Sequence, residues 1–308
     1  RELVNRIDLL ENKTYNFLYP SLDDPNFNIK IAERKEFYDT KTDIKVKDVL
    51  KEANIICTIE PELAPHQQFV KNFLSFQTPY NSLLLYHGLG TGKTCAAISV
   101  AEEQRDYLRQ LNINQKIIVI ASENVQDNFR QQLCDERKLE LKNGLWNIKN
   151  CIGNKFLREI NPVNMKGLSK ERLIRQINNI IDNFYVFMGY IEFANRIIKL
   201  SSGTENPKII RRRLNKMYNN RLIIIDEVHN IRISDENQDK RVAQELFKLV
   251  GMVDNLRLLL LSATPMYNSY KEIIWLINLM NLNDGRSQIG VRDVFDENGN
   301  FRGSDGNG

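Results

Sequence analysis

The sequence has little that could hold a transition metal. Four cysteines (Cys57, Cys95, Cys134 and Cys151) and three histidines are spread through 308 residues. None of the cysteines form a Cys-x-x-Cys pair, so a zinc site is not expected, and their scatter suits a reducing compartment. No apolar run approaches about 18 residues, so nothing is expected to span a membrane, and no signal peptide is visible. There is no internal repeat. Charge of one sign is also scarce. Lys and Arg total 43 against 39 Asp and Glu, a net charge of +4 that permits nucleic-acid contact without demanding it. At 42% hydrophobic, the chain can bury one large α/β domain, or one domain with an insertion. Residue 1 is Arg, and the closing GSDGNG has the composition of a frayed end, so the chain reads as part of something longer.

What is present centres on Ser82 to Thr94, SLLLYHGLGTGKT. Leu83, Leu84 and Leu85 have the length of a buried strand. A glycine-rich turn follows, and then a helix-forming run from Lys93. Strand, glycine loop and helix start together make a phosphate cradle. Gly88, Gly90 and Gly92 let the backbone turn its N–H groups inward, with Leu89 and Thr91 between them. Lys93 would reach the β- and γ-phosphates, and the Thr94 hydroxyl would hold Mg²⁺. The strict pattern has Gly where this chain has His87.

The rest of the chain supplies a fold for that loop. Residues 1–60 are polar with turn signals at Tyr19-Pro20 and Asp23-Asp24-Pro25, and read as an N-terminal extension, with a short helix at Ile44 to Asn54. Leu63 to Phe76 reads as a helix opened by Pro65, with Phe69, Phe73 and Phe76 on one face. Gln67 in that helix could read a nucleotide base with its amide, or simply face water. Lys116 to Ala121 is a central parallel strand, and Glu123 to Leu133 a helix that Ser122 can cap. Residues 134–181 break the rhythm: rich in Lys, Arg and Asn, they read as an insertion, either a solvated face or a nucleic-acid contact. Strands then recur at Phe184 to Met188, Leu222 to Ile225 and Leu256 to Leu261. Helices recur at Tyr190 to Lys199, Lys208 to Arg221, Val242 to Val253 and Ser269 to Met280. Strand alternating with helix predicts an α/β fold, a parallel sheet with helices on both faces.

Leu222 to Ile225 delivers Asp226-Glu227-Val228-His229 at its end. Two carboxylates there can serve an adjacent phosphate cradle: Asp226 would bind Mg²⁺ through water, and Glu227 would deprotonate the attacking water. Leu256 to Leu261 ends in Ser262-Ala263-Thr264-Pro265, either hydroxyls beside those carboxylates or only a turn.

HGLGTGKT, DEVH and SATP, in that order on successive strand ends, resemble helicase superfamily 2. LAPHQ at 63–67 is similar to the signature before the glycine loop in Swi/Snf-type ATPases, IASENVQDNFRQQL at 121–134 to their second motif, and TPMYNSYKEIIWLINLM at 264–280, with Asn268, Glu272 and Leu276, to the pattern after their third. LYPSLDDPNFNIKIAERKEFYDT at 18–40 looks like the lead-in of the ATPases of nucleocytoplasmic large DNA viruses. That group includes the poxvirus-type early transcription factor small subunit and nucleoside triphosphatase I.

The resemblance implies a RecA-like first lobe over residues 61–285, with its insertion at about 134–181 and a tail, 286–308, leading to a second lobe absent here. It implies nucleotide contacts from Gln67, Gly88, Leu89, Gly90, Thr91, Gly92, Lys93 and Thr94. Asp226 and Glu227 correspond to the metal-binding and catalytic acids. His229, Ser262 and Thr264 correspond to the residues that link hydrolysis to nucleic-acid grip; Tyr190 and Glu192 match loosely where the family touches the nucleic-acid backbone. The implied cofactors are ATP and Mg²⁺. The implied partners are nucleic acid, DNA ahead of RNA, and RNA polymerase or other transcription proteins. The implied setting is the virion and host cytoplasm. About 43 residues follow Pro265, too few for the second lobe that supplies arginine fingers, so this stretch alone is expected to bind ATP and hydrolyse it poorly. Other readings are a nucleic-acid-binding module with a decayed ATPase, the motor subunit of a restriction-type enzyme, and a P-loop switch or small-molecule kinase. The last lacks any reason to carry DEVH with SATP.

Overall fold

A computed structural model describes residues 18–41, 63–88, 90–162, 168–231, 237–266, 271–296 and 299–303. The expected helix at Ile44 to Asn54, and Leu89, Asn268 and Ser269, lie outside the described residues. In chain order the helices are α1 (Phe27–Glu33), α2 (Lys35–Tyr38), α3 (Pro65–Phe73), α4 (Lys93–Gln110), α5 (Glu123–Leu133), α6 (Lys155–Ile160), α7 (Lys170–Phe184), α8 (Tyr190–Ser201), α9 (Pro207–Tyr218), α10 (Asn237–Met252), α11 (Lys271–Asn283) and α12 (Val291–Val294). The strands are β1 (Ser82–Tyr86), β2 (Ile117–Ile120), β3 (Leu139–Lys142), β4 (Leu145–Ile148), β5 (Tyr185–Met188), β6 (Leu222–Ile225) and β7 (Arg257–Ser262).

These elements fall into two units, one drawn from residues 81–91, 115–126 and 185–308, the other from 1–80, 92–114 and 127–184. The first unit is built on a five-stranded sheet in the order β1-β7-β6-β2-β5. Every pairing in it is parallel, so this is an α/β sheet flanked by helices. All residues of β2, β6 and β7 are buried. Central strands covered on both faces need such continuous Ile, Val and Leu runs. Apart from β6 and β7, neighbours in the sheet are not consecutive strands in the chain, and parallel strands need helical crossovers to connect them. Residues of α8 (Phe193, Ile197), α9 (Leu214), α10 (Leu246, Leu249) and α11 (Leu276, Leu279) close the core over Ile223, Ile225, Leu258 and Leu260. Each side chain of this size contributes about 1.5–3 kcal/mol by leaving water.

The register matters most for function. Tyr86 lies opposite Ser262, and Ile225 opposite Leu260. The C-terminal ends of β1, β7 and β6 therefore finish side by side. Asp226 continues from β6 there, and His87 continues from β1.

The second unit holds the helix that follows the glycine loop. Helix α3 packs along α4. The described part of the N-terminal extension packs through rings on α3 and on Tyr80 beyond it: Phe37 lies 4.9 Å from Phe69, and Phe27 lies 5.5 Å from Tyr80. Tyr80 in turn donates its hydroxyl to the Pro20 carbonyl at 2.8 Å. Within the insertion, β3 and β4 form an antiparallel hairpin around Asn143 and Gly144, both at positive φ. Arg105 of α4, whose side chain is fully buried, ties the insertion down. It donates to Glu102 at 2.8 Å and to Glu159 at 2.9 Å. Burial alone would lower its pKa, but the two carboxylates outweigh it and keep the guanidinium charged. Lys155, one of the insertion's cations, is spent the same way, on Asp106 at 2.7 Å. Cys95 and Cys151 form a disulfide. That corrects the expectation of merely scattered cysteines: two that are 56 residues apart in sequence meet in space.

Candidate functional site

Three segments carry the chemistry. The first is the glycine loop. Gly90 and Gly92 adopt φ of +79° and +81°, the left-handed region where a side chain is strained. Thr91 Oγ1 donates to the Gly88 carbonyl at 2.8 Å and closes the turn. Gly92 is the residue before α4, and Ala96 N donates to its carbonyl at 3.0 Å, the first helical bond. A helix start leaves its first N–H groups without partners inside the helix and carries partial positive charge, which Lys93 reinforces.

Gln67 sits against the start of α4 in the same unit. Its Nε2 donates to the Gly92 carbonyl at 3.1 Å, and its Oε1 accepts from Ala64 N at 3.0 Å. It is buried rather than facing water.

The third segment joins the ends of β6 and β7. Asp226 is 5% exposed, its N–H donating to the Ile120 carbonyl at 3.0 Å and its Oδ1 accepting from Glu227 N at 2.9 Å. Glu227 takes φ +48° and ψ +51°, a strained conformation for a residue with a Cβ. Strain of this kind, of order 1–3 kcal/mol, persists only where surrounding contacts fix it. His229 Nδ1 lies 3.0 Å from Ser262 Oγ and 3.2 Å from Glu227 Oε2. Ser262 Oγ also accepts from Thr264 N at 3.0 Å. Two oxygens thus face one ring nitrogen, and an ionised carboxylate can only accept. A proton on Nδ1 would let the ring donate to Ser262 Oγ while facing the Glu227 carboxylate, with Nε2 turned away from both.

The structure gathers the expected residues in two groups. Gly88, Gly90 and Thr91 share the sheet unit with Asp226, Glu227, His229, Ser262 and Thr264. Gln67, Gly92, Lys93 and Thr94 share the other, at the start of α4; Leu89 is outside the described residues. Tyr190 plays a part that the sequence did not suggest. Its hydroxyl donates to the Asp226 carbonyl at 2.7 Å. Burial, with the Asp226 and Glu227 charges behind it, pushes its phenol up to about 12. No spacing signal links Tyr190 to Asp226, because the contact is between the end of one strand and the helix after another. Glu192 pairs with Arg196 at 2.8 Å.

Comparison with known proteins agrees with this layout. Residues 66–301 match the family model of the SNF2-related domain. A provisionally named ATP-dependent RNA helicase, R563, of Acanthamoeba polyphaga mimivirus is 28% identical over 265 residues, covering 85% of this chain and 39% of that protein. A provisionally named helicase, 087L, of Invertebrate iridescent virus 3 is 29% identical over 244 residues, 76% of this chain and 21% of the relative. An early transcription factor large subunit homolog of African swine fever virus is 21% identical over 342 residues, 85% of this chain and 30% of the relative. The chain therefore spans well under half the length of these relatives. The match to the family model takes in most of the chain, on a parallel sheet whose strand ends carry the motifs: this chain belongs to the SNF2-related domain family.

Proposed function

We propose that this chain is the ATP-binding lobe of a nucleic-acid-dependent, ATP-hydrolysing motor that works in viral transcription. One observation carries the reading: β1, β7 and β6 end side by side, so the glycine loop, the SATP segment and the Asp226-Glu227 pair all leave the sheet at one edge. Ligands of open parallel sheets bind at the carboxyl ends of the strands.

The residues suit ATP with Mg²⁺. At Gly92 an added Cβ would come within 2.4 Å of Gln67 Nε2, so the backbone there is kept bare. The donors are an ammonium (Lys93), a hydroxyl (Thr94) and the first N–H groups of α4, a set that matches phosphate oxygens. Thr94 and Asp226 would hold Mg²⁺, the latter through water, and the ion would neutralise phosphate charge. Glu227 would take the proton of the attacking water. His229, fixed by Ser262 and Glu227, would report the state of that carboxylate to the segment around Thr264, and so to the nucleic-acid grip.

On this reading residues 61–285 are the first RecA-like lobe, residues 1–60 its extension, about 134–181 an insertion, and 286–308 lead toward a second lobe. DNA is the expected track, although the mimivirus relative is named as an RNA helicase, and RNA polymerase or other transcription proteins are the expected partners. The virion and host cytoplasm are the setting expected from the resemblance alone.

The test is Glu227→Gln, made in the protein carried on through a second lobe. It should bind ATP near normally and release phosphate at least about 100-fold more slowly, the scale of a lost general base. Wild-type turnover would remove Glu227 from the chemistry. Residues 1–308 alone should turn over slowly, since charge developing in the transition state lacks arginines from across the cleft. Equal DNA-stimulated rates with and without the second lobe would overturn the two-lobe motor.

A further inference from the structure

A second site is built on the flank of the sheet unit. A cavity of about 470 Å³ lies between the second half of α8, the end of α9 and the adjoining face of β2 and β5. Its floor is aliphatic and thioether, Val186, Met188 and Leu200, and Met217 lies at its exposed mouth. Its rim is cationic: Arg196, Lys199, Arg213 and Arg221.

The rim charges are poorly balanced. Arg213 donates to the carbonyls of Leu200 and Ser202, at 3.4 and 2.8 Å, and Arg221 to the side-chain oxygen of Gln115; all three acceptors are neutral. Among the described residues Lys199 has no ion-pair partner. Arg196 alone meets a carboxylate, Glu192, in a pair about half exposed on both sides, where an ion pair is worth at most about 1 kcal/mol. Burial holds the Arg221 guanidinium below its ordinary range, and the like charge of Arg196 adds to that, against the opposing effect of Tyr218. Four cations with one exposed counter-charge, around an apolar floor, are complementary to an anion with an apolar body.

We propose that this cavity docks an acidic peptide segment of a partner protein, one that carries an aliphatic or aromatic anchor between its carboxylates. The floor favours a peptide over nucleic acid. Bases bind by stacking on exposed rings, but the one ring here, Tyr218, is 2% exposed and packs edge-on against Phe193. Methionines beside branched aliphatics adapt to varied apolar side chains, and Met217 is 42% exposed at the mouth. The cavity volume lies within the range of specific small-ligand pockets. The site is separate from the ends of β1, β7 and β6. Tyr190, which touches Asp226, opens α8, and Lys199 lies nine residues on, about 13 Å along the helix axis. The proposal does not depend on the nucleotide reading.

The probe is a fluorescein-labelled peptide, Asp-Asp-Leu-Phe-Asp-Asp, titrated with the 308-residue chain by fluorescence anisotropy. Binding should saturate. It should weaken at least tenfold in the Lys199→Glu, Arg213→Glu double variant, and likewise when Leu-Phe in the peptide becomes Ser-Ser. A thermal melt followed by circular dichroism checks the fold of the variant; if it unfolds, Met217→Asp at the exposed mouth makes the same test. Absent saturation, or equal affinity in the folded variant, overturns the proposal. So does displacement of the peptide by a single-stranded oligonucleotide of equal charge at equal concentration, which would make the cavity a nucleic-acid contact.

Discussion

The Gln67 side chain and the Gly92 backbone are locked together, with Nε2 3.1 Å from the Gly92 carbonyl and Oε1 held by Ala64 N. A glutamine in one helix thereby sets the position of the residue that opens another. The amide is buried, and both of its ends have protein partners, so its first task is to shape the glycine loop.

Gly92→Ala should therefore damage the loop twice. It forces a Cβ into a left-handed backbone, at roughly 1–2 kcal/mol, and brings that Cβ within 2.4 Å of Gln67 Nε2. Affinity for a non-hydrolysable ATP analogue should fall at least about tenfold, and the melting temperature should drop. Unchanged values for both would mean that the loop does not need this conformation.

The His229 geometry predicts a tautomer. With Glu227 Oε2 and Ser262 Oγ both facing Nδ1, the neutral ring should carry its proton on Nδ1. Nitrogen-15 NMR of the ring at alkaline pH reads this directly. Ser262→Ala should cost about 0.5–1.5 kcal/mol for the lost hydrogen bonding and should leave the proton in place, since Glu227 remains. A proton on Nε2 in the unaltered protein would contradict the arrangement.

Asp284 gives a pH-dependent test of stability. Burial raises its carboxyl to about 6 from 3.8, against the pull of Ser82, the Asn81 backbone and Arg286. A raised carboxyl means that the folded state binds the proton more tightly. The stabilisation is complete below about pH 4 and is lost as pH rises through about 6. Asp284 is only partly buried by area, so roughly 1–2 kcal/mol is at stake. Asp284→Asn should stabilise the chain by about that amount at pH 7.5 and not at pH 4, as measured by urea unfolding. An equal effect at both values would rule out titration as the cause.

Much of this was legible in the residues. LIII at 222–225 and LLLL at 258–261 can be little else than central strands, and the motifs mark their own strand ends. Where the reading fell short, the cause was tertiary or polar. Helix α10 begins at Asn237 rather than Val242, because its first turn is polar and gives no apolar period. Helix α3 stops at Phe73, since Leu74 leaves helical geometry, and Phe76 instead stacks on Tyr107. The hairpin of β3 and β4 did leave a signal, Asn143-Gly144, the dipeptide that favours a tight two-residue turn. The Cys95–Cys151 bond, the Arg105 cluster and the Tyr190–Asp226 contact join residues far apart in sequence, and no local pattern announces them.

The central claim is that the start of α4 binds the phosphates of Mg²⁺-ATP. Calorimetric titration of residues 1–308 with a non-hydrolysable ATP analogue tests it most directly. Saturable binding that requires Mg²⁺, is kept in Glu227→Gln, and falls below detection in Lys93→Ala is the predicted result. Equal affinity in Lys93→Ala, or no binding by the unaltered chain, would contradict it.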